Sequence, residues 1–322
     1  MECYPGLLPF SDAGAAGFVP DTGSPGPGDP LEVEDIDRPK PFYTNCARQR
    51  MKKIVPFLYC ILVACTNSPK QEAPAQKESE KTRESEKIIP YTVVRSIPHD
   101  TTSFTEGLLV HDGKLFESTG HTDSYPFSRS LFGIVNPNTG KIDVKAEIDK
   151  NRYFGEGISF LKNKVYQLTD TTRIGFIYDA RTYKPLGEFH YAGDGWALTT
   201  NGTYLIMSNG SGTLYYRDPV TFDPVKKLMV TADNVAVDSL NELELIHGYI
   251  YANKWLTNYI LKIDTTSGRV VGKLDLSMLS GDAASRYPGS AEMNGIAYDS
   301  TQNKIYVTGK LWPTIYEIKF DH

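Results

Sequence analysis

The chain has 322 residues with 39 acidic and 34 basic side chains, a formal net charge of −5. That length suits two average domains or one large all-β domain. A near-balanced charge, with no basic run after the first third and no aromatic–basic interleaving, gives no sign of a nucleic-acid-binding surface, and none is expected. The 20 Tyr, 14 Phe and 27 Gly favour strands and tight turns over a helical bundle.

Residues 1–50 are rich in Gly, Pro and Asp and lack strand periodicity. They do not fit in front of the signal-like segment that begins at Met51. The simplest account is a misassigned upstream start with Met51 the true one; the alternative is a disordered leader. Met51-Lys52-Lys53 opens a basic segment, and Ile54 to Ala64 is an apolar stretch too short to span a bilayer but suited to a signal peptide. It runs into Leu62-Val63-Ala64-Cys65, which resembles a bacterial lipobox. In that reading residues 51–65 are a lipoprotein signal peptide and Cys65 is the lipidated residue of an extracytoplasmic, membrane-anchored protein. An uncleaved anchor or a buried helix is the other reading. Thr66 is not an inner-membrane-retention Asp, which weakly favours the outer membrane if the organism has one. Residues 66–87 are charged and almost without large apolar side chains, as a disordered tether would be. No cysteine follows Cys65, so the folded part uses neither a disulfide nor a thiolate metal site.

Folded structure is expected over residues 88–322. Tyr91 to Ile97 is a β-branched run without turn residues, an orphan strand. After it one phrase returns five times: Phe104-Thr105-Glu106-Gly107-Leu108, Phe154-Gly155-Glu156-Gly157-Ile158, Gly193-Asp194-Gly195-Trp196-Ala197-Leu198, Leu240-Asn241-Glu242-Leu243-Glu244 and Met293-Asn294-Gly295-Ile296-Ala297. With Glu106, Glu156, Trp196, Glu242 and Asn294 taken as equivalent, the gaps are 50, 40, 46 and 52 residues. A period of roughly 40–50 residues with several short strands per unit marks a β-propeller blade. The second unit reads as strands over 157–161, 165–169, 175–179 and 184–189. The last supplies three strands and then the chain ends, so the orphan strand completes it. The fold expected is therefore all-β, a five-bladed β-propeller closed by an N-terminal strand in the last blade, which removes an open edge. Asn136 to Gly140 and Asp264 to Gly268 read as turns without a chemical role.

The five phrases lead into the innermost strands, so their side chains meet at one funnel mouth. Phe104, Glu106, Phe154, Glu156, Trp196, Asn241 and Glu242 come from the phrases, Trp255 lies on the second strand of unit four, and Lys310 lies in the last hairpin. Apolar walls with a few convergent polar groups suit a small molecule or a peptide end. Phe104, Phe154 and Trp312 read more readily as blade packing than as ligand contacts. His99, His111, His121, His190 and His247 are scattered without metal-ligand spacing, and no metal site is expected.

In this order FTEGL, YFGEGI, GDGW-LT, GTLYYRDP-TF, LNELE, YAN-W-T--I--ID and VTGK-WP-IYE-- resemble the plant- and bacterial-type glutaminyl-peptide cyclotransferases over about residues 90–320. The resemblance implies a five-bladed propeller and an enzyme of the acyltransferase class, and a monomer is expected. Its reaction converts N-terminal glutamine of peptides or proteins to pyroglutamate with release of ammonia, and needs no cofactor. It implies Glu156 as the proton shuttle, Asn241 and Lys310 facing the amide oxygen and oxyanion, and Phe104, Glu106, Phe154, Trp196, Trp255 and Glu242 in substrate binding. Glu106 occupies a position that can carry Gln, and Asp170 stands where the family commonly has Trp. Two alternatives remain: a propeller that binds peptide ends without turnover, and a metal-dependent lactonase-like propeller. Whether a divalent ion plugs the channel is open.

Overall fold

In the computed structural model, residues 83, 85 and 87–322 are described. The expectations for residues 1–50, for the signal peptide with Cys65 and for nearly all of the tether lie outside the described residues.

Local turn chemistry sets the repeat. Two-residue turns at Asp112-Gly113 (φ 48° and 69°), Lys162-Asn163 (51° and 62°) and His247-Gly248 (47° and 83°) place both central residues in the left-handed region, which matches the twist of the strands they join. Between the third and fourth strands of the first four blades, Asn136, Asp179, Asp218 and Asp264 turn the chain by accepting backbone N–H groups two residues on, three of them also three residues on. The two turn readings made from the sequence belong to this set.

Strand β1 (Tyr91–Pro98) precedes the blades. Blade 1 is β2 (Thr105–His111), β3 (Lys114–Thr119), β4 (Leu131–Val135) and β5 (Ile142–Glu147). Blade 2 is β6 (Gly155–Leu161), β7 (Lys164–Thr169), β8 (Ile174–Asp179) and β9 (Pro185–His190). Blade 3 is β10 (Leu198–Thr200), β11 (Leu205–Met207), β12 (Thr213–Arg217) and β13 (Pro224–Met229). A small hairpin, β14 (Thr231–Ala232) with β15 (Val235–Ala236), leads to blade 4: β16 (Leu240–Ile246), β17 (Tyr249–Lys254), β18 (Tyr259–Asp264) and β19 (Val270–Asp275). Helix α1 (Ser277–Arg286) precedes blade 5: β20 (Met293–Asp299), β21 (Lys304–Gly309) and β22 (Thr314–Phe320). Every blade is a four-stranded antiparallel sheet, and the last has the order β1-β22-β21-β20. Tyr91 pairs with Phe320 and Pro98 with Thr314. The five blades and their closing strand are thus as read from the repeat.

The first strands touch in a closed ring, β2 to β6, β10, β16, β20 and back to β2. Five hydrophobic clusters lie between consecutive blades. One holds Tyr251 and Leu274 of blade 4 with Ile296 and Tyr316 of blade 5, and another joins Leu108 of blade 1 to Ala297 and Ile315 of blade 5. Neither the hairpin β14–β15 nor α1 was expected. The helix is short and carries an internal Gly281. Its buried Leu279 and Ala283, four residues apart, dock on the cluster between blades 4 and 5. At the closure, buried His99 bonds Glu117 of β3 through Nε2 (2.9 Å) and the Trp312 carbonyl through Nδ1 (2.7 Å), joining blade 1 to blade 5.

Candidate active site

Each inner strand except that of blade 3 opens with a register irregularity, which changes how its first residues pair with the next strand. The pairings Gly155↔Thr169, Leu240↔Lys254 and Met293↔Gly309 make Glu156, Asn241 and Asn294 equivalent. Glu106 holds the same place after Thr105↔Thr119. The following residues are Gly107, Gly157, Glu242 and Gly295. At Gly157 there is no room for a side chain, since a Cβ would come within 2.5 Å of the Ala197 Cα.

This register corrects the sequence-based alignment in blade 4, where Asn241, not Glu242, is the counterpart of Glu106 and Glu156. Glu242 is not brought to the pocket. Its Oε1 accepts the Leu108 N–H (3.3 Å) and its Oε2 the Ile296 N–H (2.8 Å). Leu108 belongs to blade 1, which is not a ring neighbour of blade 4, so this carboxyl crosses the channel. Two residues on, Glu244 accepts from the Tyr298 N–H (3.2 Å). Burial pushes Glu242 well above the usual carboxylate range and Glu244 up to about 8.

At the mouth lies a pocket of about 350 Å³ lined by Phe104, Glu106, Thr122, Phe154, Glu156, Asp170, Trp196, Asn241, Trp255 and Lys310. All the sequence-derived candidates except Glu242 are there. Thr122 was missed; it comes from the irregular β3–β4 loop, which carries no repeat signal. Trp312 is fully buried, with its indole N–H bonded to the Ala291 carbonyl (3.0 Å), and belongs to blade packing. Phe104 and Phe154 meet edge to face at 6.0 Å, and Trp196 and Trp255 at 5.5 Å with planes 70° apart. Gly210, at φ 75°, lies under the Trp196 ring, where a Cβ would come within 2.5 Å of it.

The two glutamates differ in their partners. Glu106 is 2% exposed; its Oε1 receives the Lys310 ammonium at 2.7 Å and its Oε2 the Asn294 amide at 3.0 Å. Glu156 is 5% exposed, and its Oε2 is buried with no partner. Asn241 Oδ1 is likewise buried and unpartnered. A buried polar atom left unpaired costs about 1–3 kcal/mol, so two in one pocket mark a place for ligand donors. Burial first, and then the charge of Glu106, pushes the Glu156 carboxyl well above its ordinary value. Burial also raises Glu106, against the pull of Lys310. Although burial opposes its charge, Lys310 is held above the ordinary lysine value by Glu106 and Glu156. Lys310 is pinned through its own backbone, with N–H to the Glu292 carbonyl and C=O to the Ala291 N–H, both 2.9 Å, and its Nζ sits 4.5 Å from the Phe104 ring centre. Three other clefts, of about 260, 290 and 370 Å³, collect no unpartnered buried atoms among the described residues.

A family model described as Glutamine cyclotransferase matches residues 60–320. The chain belongs to the glutamine cyclotransferase family. A glutaminyl-peptide cyclotransferase of Arabidopsis thaliana is 40% identical over 238 residues, covering 73% of this chain and 72% of the relative. The crystal structure of a Myxococcus xanthus glutaminyl cyclase matches with a TM-score of 0.66 at 32% identity, covering 73% of this chain and 98% of that one. The region shared within the cyclotransferase family therefore includes the described propeller and its pocket.

Proposed function

We propose that the pocket takes the N-terminal glutaminyl residue of a peptide or protein and closes it to pyroglutamate with release of ammonia. The observation that carries this reading is the contrast between Glu106, both of whose oxygens are engaged, and Glu156, which keeps a buried oxygen free in the same pocket. Only the second is available to a proton in transit.

In the reaction the substrate's own α-amine attacks its γ-carboxamide carbon. A C–N bond forms, and the amine proton passes to the Glu156 carboxylate. The carbonyl oxygen becomes an oxyanion, which the Lys310 ammonium stabilises from its fixed place. Glu156 then returns the proton to the amide nitrogen, the C–NH₂ bond breaks, and ammonia leaves. One carboxyl thus serves as base and acid in turn. Asn241 offers Oδ1 as an acceptor, which suits an N–H of the γ-amide better than the amide oxygen expected from the resemblance. The rings of Phe104, Phe154, Trp196 and Trp255 enclose the side chain and favour its cyclising conformer.

Side chains supply each of these steps, so turnover is expected to survive exhaustive chelation. Among the described residues no group of three His, Cys, Asp or Glu is arranged to hold a metal ion. The lipobox-like segment supports a lipid anchor at Cys65, outside the cytoplasm of a bacterium; Cys65→Ser should move the protein from the membrane to the soluble fraction. The deciding experiment is ammonia release from a glutaminyl tripeptide by the full chain, with an asparaginyl peptide as control. Ammonia from the first alone supports cyclisation. Binding without ammonia would support the peptide-end binder instead.

A further inference from the structure

Resting on the proposed reaction, the pocket also carries a specificity device. Its lining holds three carboxyl groups, Glu106, Glu156 and Asp170, against one cation, Lys310, which is bound to Glu106 at 2.7 Å. Glu156 is assigned to the reacting atoms. Asp170 is left over. It opens the β7–β8 turn, with its N–H bonded to the Phe154 carbonyl at 3.0 Å and the chain beyond held at φ 55° (Thr171) and 60° (Arg173). Its side chain is half-buried, where those of Glu106 and Glu156 are buried, so solvent reaches it more easily than the other two, although burial and the charge of Asp194 raise its carboxyl above the ordinary value.

The surroundings share its sign. Exposed Asp194 acts on Glu156 and Asp170, and half-buried Glu292 acts on Glu106 and Lys310. Beside them stand the faces of Trp196 and Trp255, surfaces that also attract cations. That a ligand enters here is indicated independently by the unpartnered buried atoms Glu156 Oε2 and Asn241 Oδ1. A pocket of about 350 Å³ is at the lower end of the usual range for ligand sites, so the rest of a peptide extends beyond it, and Asp170 is a half-buried part of the lining that solvent reaches.

We propose that Asp170 is a specificity-determining residue, pairing with a cationic side chain at the second position of the substrate, so that glutaminyl-lysyl and glutaminyl-arginyl peptides are preferred over glutaminyl-glutamyl ones. A half-exposed pair, together with repulsion of the acidic competitor, is worth on the order of a tenfold preference in kcat/KM. The preference shrinks as salt rises.

The test compares Gln-Lys-amide with Gln-Glu-amide for the wild-type chain and Asp170→Asn. The ratio of their kcat/KM values is expected to be about ten in the wild type and near one in the variant. An unchanged ratio in Asp170→Asn overturns the proposal. A parallel titration with pyroglutamyl-Lys-amide and pyroglutamyl-Glu-amide, read by tryptophan fluorescence, needs no turnover. If no peptide is cyclised but the lysyl ligand still binds tighter in an Asp170-dependent way, the catalytic reading fails and this one stands. If the two ligands bind alike, this one fails whatever the enzyme does.

Discussion

Two pairs of acids, one at the mouth of the ring and one in its channel, three of them buried and Glu244 half-buried, do opposite things. At the mouth, Glu106 and Glu156 share a pocket, and one of them keeps an oxygen unpaired. In the channel, Glu242 and Glu244 have carboxyl oxygens engaged by backbone N–H groups of blades 1 and 5. Both pairs lose hydration, and in both burial raises the carboxyl pKa. A shifted pKa therefore does not distinguish chemistry from scaffolding here. The unpaired oxygen facing a cavity does.

The largest effect expected from that contrast is kinetic. Glu156→Gln should lower kcat by about 10²–10⁴-fold, the usual contribution of a general acid–base group. Glu242→Gln should leave kcat within a few-fold. Comparable losses in the two would erase the distinction. Lys310→Ala should cost about 10²–10³-fold in kcat, as for a lost oxyanion donor. It also strands Glu106 in the interior, a loss of about 3–5 kcal/mol. Adding Glu106→Gln to that variant should recover thermal stability without recovering turnover, as measured by calorimetry beside the ammonia assay.

Two pH effects come next in size. The unfolded chain releases the protons of Glu242 and Glu244 near the ordinary value of 4.5, whereas the folded protein keeps that of Glu244 to about 8 and that of Glu242 well above the ordinary range. Between those limits the native state binds more protons, so stability falls as pH rises, by at most about 1.4 kcal/mol per unit for each group. Glu244→Gln should flatten the decline in urea unfolding between pH 5 and 8. At the mouth, Glu106→Gln removes a negative neighbour of Glu156, lowers its pKa, and should move the acidic limb of the kcat/KM profile to lower pH. A limb that stays put would mean Glu156 is not the titrating group.

Much of this was legible in the sequence, for identifiable reasons. A propeller repeats its turn and inner-strand chemistry in every blade, so the phrases containing Glu106, Glu156 and Asn294 reveal the count, and a last unit one strand short reveals the closing role of Tyr91–Pro98. The aromatic walls could be placed because each flanks a phrase or the strand paired with it. What failed was the bulge register in blade 4. Asn241-Glu242 offers two polar residues where the other phrases have one beside Gly, and only the pairing of Leu243 with Ala252 shows which of them faces the pocket. Thr122 and α1 lie in connections outside the repeat, where no periodicity constrains them.

The most direct test of the account is the mass of a glutaminyl tripeptide incubated in turn with the wild-type chain, Glu156→Gln and Glu242→Gln. One ammonia should be lost with the wild type and Glu242→Gln at similar rates, and about 10²–10⁴-fold more slowly with Glu156→Gln. Loss of ammonia at an undiminished rate with Glu156→Gln would contradict it.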